Sequence, residues 1–105
     1  MTTTTTHFYA VIQPDELTIE RLERSTPFEL EEAQKLVGGG YIELVPQVID
    51  WAHLEEKLET GEHSVVVLCN EDGMSKGMAF NPVATSMIGI NLVGPVIVCD
   101  ARLFE

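Results

Sequence analysis

At 105 residues the chain has room for one domain that buries roughly 60–65% of its unfolded surface, which excludes a second independent domain. Hydrophobic residues make up 45% of the sequence, the composition of a folded globule. The 17 Asp and Glu against 6 Lys and Arg leave a net charge of −11, which argues against direct nucleic-acid binding and against docking on an anionic membrane. Excess charge serves solubility in the first place; a basic protein partner is the other use it allows.

Met1 to Thr6 reads MTTTTT, without the basic start or apolar core of a signal peptide, so residues 1–6 are expected to be a frayed, disordered terminus before a single domain over 7–105. No run approaches the roughly 20 apolar residues of a membrane span, and a cytoplasmic location is expected. "HFYAVIQPD" then has the aromatic and β-branched core of an opening strand, ended by Pro14. "ELTIERLERS" places charges between Leu17, Ile19 and Leu22; it suits a strand extension, a loop or one helical turn.

Thr26, Pro27, Phe28 and Glu29 form a Thr-x-x-Glu capping box with proline at the first helical position, which predicts a helix from there. Leu30, Ala33, Leu36 and Val37 recur at helical spacing as its buried face, and Gly38 supplies the stop. "GGGYIELV" follows: a chain reversal, then a strand with Tyr41, Glu43 and Val45 on one face and Ile42 and Leu44 on the other. The glycines are not a phosphate loop, because they follow a helix, precede a strand and lack a lysine. Asp50 caps a predicted helix "WAHLEEKLET" with Trp51, Leu54 and Leu58 on one side and Glu55, Glu56 and Glu59 on the other.

"SVVVLC" is an apolar, β-branched run of strand length. Asn70 to Gly73 has the turn chemistry of a hairpin whose second strand would be "MSKGMAF", with Gly77 as a bulge. Asn81 before Pro82 reads as the N-cap and first residue of a short helix "PVATSMI", and Gly94 and Pro95 interrupt a last strand, marking it as an edge or as bent where it begins. The fold class expected is α+β: one mixed, mostly antiparallel sheet of about four or five strands with two to three helices packed on one face.

Catalytic chemistry is hard to find. His7, His53 and His63 lack metal-ligand spacing, no serine sits in a nucleophile elbow, and "NEDGMSKG" lacks the ligand series of a calcium loop, so neither metal nor cofactor is expected. Cys69 and Cys99 each close an apolar run and read as buried free thiols. Glu43 within an apolar strand suits a solvent-facing position or a ligand contact; Asn70 and Asn81 suit a turn and a cap, or paired amides for a small ligand, with Thr85 one helical turn beyond Asn81.

"LVGGGYIELV", "VLCNEDG", "KGMAFNPVAT" and "LVGPVIV", in that order over Phe28 to Val98, resemble DUF3846, a family of small domains of unknown function common in phages, plasmids and other mobile elements. The resemblance implies a genomic context rather than an activity. By position it singles out Gly39, Gly40, Tyr41, Ile42, Glu43, Asn70, Glu71, Gly73, Gly77 and Asn81. The chain departs from the pattern by an extra glycine, by residues around Trp51 to Glu62 and at Phe80.

Two functions follow as expectations. The first is an accessory protein of a phage or mobile element in the cytoplasm of a bacterial host. It would not be an enzyme but would bind a host protein with a basic surface, inhibiting a defence or nucleic-acid-processing factor, through Glu29, Glu31 and Glu32 and through Glu55, Glu56, Glu59 and Glu62. The second is a nucleotide-binding or sequestering protein, with Tyr41, Glu43, Asn70, Asn81 and Thr85 as its site. Self-association is compatible with either.

Overall fold

The computed structural model describes residues 6–15, 22–45 and 65–104. The opening strand β1, His7–Ile12, pairs on one side with β2, Leu22–Arg24, from His7 opposite Arg24 to Tyr9 opposite Leu22. On its other side lies β5, Val96–Asp100, with Tyr9 opposite Cys99 and Ile12 opposite Val96. Next comes β4, Val65–Asn70, and, outermost among the described strands, β3, Ile42–Leu44. Every pairing of the order β2-β1-β5-β4-β3 is antiparallel. The α+β class with a single antiparallel sheet is therefore the observed one.

Strand alternation divides the core in two. Ala10, Ile12, Val65, Val67, Val96 and Val98 face Ala84 and Ile88 of helix α2, Pro82–Ile88. Leu68, Ile97 and Cys99 face Ala33 and Val37 at helix α1, Leu30–Leu36, together with Phe28 and Leu103. The helices thus lie on opposite faces of the sheet, not on one as expected. Covering both faces explains why all five residues of β5 are buried and why the strand reads as an unbroken apolar run.

Helix α2 forms where its caps predict. Asn81 accepts from the Ala84 N–H at 3.1 Å, Pro82 opens the helix, and Gly89 ends it in the left-handed region. Helix α1 starts three residues later than the capping box predicts, with Glu29 at the N-cap and no side-chain cap. Phe28 is diverted into the core against the sheet: its N–H donates to the Leu103 carbonyl at 2.6 Å, and its ring meets Tyr9 edge-on with centroids 5.1 Å apart. Thr26 is also committed, because its carbonyl accepts from Arg24 Nε at 2.7 Å. Leu30, expected on the buried face, is 61% exposed, and Phe28 fills the corresponding place in the core.

The hairpin after β4 does not form. Both sides of β4 are already taken, by β3 and β5, so a returning strand would find no free edge. Residues 71–77 instead fold as consecutive turns, with Asp72 N–H donating to Asn70 Oδ1 at 2.9 Å and Met78 N–H to the Gly73 carbonyl at 3.0 Å. From "MSKGMAF" only Phe80 pairs, in an isolated bridge with Val93. Gly94 and Pro95 mark a bent start to the last strand, which is central rather than an edge. In the alternative reading of "ELTIERLERS", Leu22–Arg24 is strand; the rest of that stretch, the helix expected after Asp50 and the terminal Met1 to Thr5 lie outside the described residues.

Candidate functional site

Three of the five residues considered for a small ligand are occupied by the fold. Asn81 is fully buried, and its Nδ2 donates to the carbonyls of Ile12 at 2.8 Å and Gly94 at 2.9 Å while Oδ1 caps α2. Asn70 Nδ2 donates to the carbonyls of Val37 at 3.1 Å and Gly39 at 2.5 Å, tying the end of α1 to β4. Thr85 Oγ1 accepts from the Leu92 N–H at 2.9 Å and donates to the Leu92 carbonyl. Side chains with their hydrogen-bonding capacity spent in this way hold segments together rather than present polar groups to a ligand.

Tyr41 and Glu43 are exposed. Glu43 lines a cleft of about 330 Å³ on the α2 side of the sheet, between β3, the turns after Asn70 and the segment leading to β5. Val45, Cys69 and Leu92 contribute buried apolar surface to it; Met74 and Ile90 are 68% and 43% exposed. Glu71 supplies a second carboxylate, and its N–H donates to the Tyr41 carbonyl at 3.0 Å. Among the described residues no cation pairs with Glu43 or Glu71. The cleft therefore combines negative charge with apolar walls, an environment that repels phosphate and accepts a cation.

Of the acidic residues considered for a partner, Glu29 and Glu31 are exposed on and beside α1. Glu32 differs: Arg24 grips it with both ends of its guanidinium, at 2.7 and 2.9 Å, while stacking over Phe28 at 4.2 Å. The hydrogen bond from Arg24 holds Glu32 below the usual carboxylate range. That carboxylate stitches β2 to α1 and is not free for a partner. Glu55, Glu56, Glu59 and Glu62 lie outside the described residues.

A second ionic group sits at the end of β5. Asp100 is 1% exposed and accepts from Arg102 Nη2 at 2.6 Å and Nε at 3.0 Å, with His7 Nδ1 at 3.7 Å. The thiols are unlike reactive cysteines, since burial pushes Cys69 up to about 11 and Cys99 up to about 12. Among the described residues no three His, Cys, Asp or Glu are grouped to hold a metal ion, and no helix is long and apolar enough to cross a membrane.

Sequence reasoning missed Met74, which reads as part of a strand, and Ile90, which lies between the predicted last helix and last strand; the signal at Met74 was an apolar residue placed within turn chemistry. Some of the residues that carry the family pattern meet, since Ile42 stands opposite Asn70 and Asn70 bonds to Gly39, whereas Asn81 lies apart with Ile12 and Gly94. No curated protein and no solved structure matches the chain. The comparison with protein families matches residues 8–102, from β1 to the closing turn, and the chain belongs to DUF3846, a domain of unknown function.

Proposed function

We propose that this chain acts by binding a protein with a basic surface, and not by catalysis. The observation that carries the reading is the cleft beside β3, where Glu43 and Glu71 stand without a described cation next to exposed Met74 and Ile90. A net charge of −11 would speed encounter with such a partner and make the complex salt-sensitive. In the phage and mobile-element context that the family resemblance implies, the partner is a bacterial host protein of defence or nucleic-acid processing, which the chain inhibits. Binding of a nucleotide has less support, because Asn70, Asn81 and Thr85 are engaged internally and the cleft is anionic.

The test is affinity capture of the tagged chain from bacterial lysate at about 50 mM and about 500 mM salt, with mass spectrometry of proteins and released small molecules. A basic protein held at low salt and lost at high salt is expected. A bound nucleotide without a protein partner would overturn the reading.

A further inference from the structure

The cleft has features that narrow the partner's chemistry. Its volume, about 330 Å³, is at the low end for small-molecule sites and suits one long side chain better than a nucleotide. Two carboxylates beside apolar walls match a guanidinium, which is planar, weakly hydrated and able to lie against apolar or aromatic surface while its N–H groups reach carboxylate oxygens. The cleft also adjoins β3, whose outer edge has no strand partner among the described residues. An unpaired strand edge beside a side-chain pocket is the arrangement by which extended peptides are bound, main chain to the edge and one side chain to the pocket.

Resting on the protein-binding reading above, we propose that the cleft is a recognition pocket for an arginine of the partner, presented on an extended segment that pairs along β3. The main chain of that segment bonds to the edge of β3, its arginine enters between Glu43 and Glu71, and Met74 and Ile90 flank the aliphatic stem. Charge elsewhere on the chain steers the encounter without fixing its position.

The test titrates the isotope-labelled full chain with a short acetylated Thr/Val peptide bearing one central arginine, and with the same peptide bearing citrulline, which keeps the shape and removes the charge. Amide shifts are expected to gather on Ile42 to Val45, Cys69 to Glu71 and Ile90 to Val93 with the arginine peptide and to be absent with citrulline. Glu43→Gln combined with Glu71→Gln should weaken binding about tenfold or more, whereas Glu29→Gln with Glu31→Gln, an equal loss of charge beside α1, should change it less than about twofold. All four positions are exposed, so both variants should fold, as urea midpoints will verify.

Equal losses in the two variants, shifts scattered over the acidic surface, or no binding would each overturn the pocket. A lysate partner retained by the cleft variant would also overturn it while leaving the protein-binding reading intact. Peptide seated in the cleft with no partner captured from lysate would support the pocket and count against that reading.

Discussion

Asn81 combines two tasks that are separable by substitution. Its Oδ1 caps α2, and its Nδ2 satisfies the carbonyls of Ile12 and Gly94 in a fully buried position. Removing a cap costs about 1 kcal/mol and each buried carbonyl left unpaired about 1–3 kcal/mol, so Asn81→Ala should lose about 3 kcal/mol or more in urea unfolding. Asn81→Asp should fail to rescue, because an aspartate keeps the cap but directs an oxygen at two carbonyls. Near-native stability of the aspartate variant would show that capping alone matters. Asp100 makes a prediction that depends on pH. Burial works against its ionisation, yet the hydrogen bonds and charge of Arg102, with His7 behind them, outweigh burial and lower its pKa. A carboxylate with a depressed folded pKa adds stability that is fully present above its unfolded value, near 3.8, and is lost as pH falls through the lower folded value. Arg102→Met removes the side-chain hydrogen bonds and the charge of the guanidinium, leaving only the residue 102 N–H and His7 to oppose burial. The variant should be less stable by about 1–3 kcal/mol at pH 7, and the gap should shrink as the pH is lowered towards 3 and the variant's carboxyl is neutralised. Urea midpoints of both proteins across that range check the sign; a constant gap would refute it.

At the scale of elements, the end of α1 is the most sharply determined junction. The Gly39 N–H donates to the Gln34 carbonyl at 2.7 Å and the Gly38 N–H to the Lys35 carbonyl at 3.1 Å, the paired bonds of a helix closed by a left-handed glycine. Gly38 and Gly39 have φ of +98° and +91°, so alanine is strained at either by about 1 kcal/mol. They differ in space: a Cβ at Gly38 would meet Met78 Cε at 2.6 Å, while one at Gly39 would meet nothing within 4 Å. Gly38→Ala should therefore cost more than Gly39→Ala, and a Met78→Ala background should narrow the difference, measured as urea midpoints. This stop was legible in the sequence, as was all of α2, because caps and glycine stops act over four or five residues and are written in adjacent letters. The start of α1 was misread since the fate of Phe28 is decided by Tyr9 and Leu103, remote in sequence. The expected hairpin failed for a similar reason: "NEDG" is turn chemistry, but whether a turn closes a hairpin depends on which strands already flank β4.

Across the whole molecule, the features that local patterns cannot encode are which elements share a face and which side chains are spent holding them. The register of β4 and β5 puts Val66, not Cys69, opposite Cys99, and the two thiols belong to different faces of the sheet, which keeps them from a disulfide. Asn81 looked available to a ligand because its partner Ile12 is 69 residues away; Glu43 was legible as a candidate because a carboxylate in an apolar strand needs no partner to be conspicuous. Net charge was legible outright, and it yields a prediction in which one variable acts with opposite signs. Folding gathers a charge of −11 into a small volume, and the resulting repulsion opposes the compact state. At 0.01 M salt the screening length is about 30 Å, comparable with a small domain, whereas at 0.1 M it is about 10 Å. Added salt should relieve repulsion across the molecule while affecting less the short contacts of Arg24 with Glu32 and Arg102 with Asp100. If the relief is about 1 kcal/mol, the melting temperature of the isolated chain should rise by about 4–8 °C over that interval. Binding to a basic partner should weaken over the same interval, because there the screened interaction is attractive. A melting temperature that falls with salt would mean that local ion pairs, rather than net repulsion, dominate the charge balance of the folded chain.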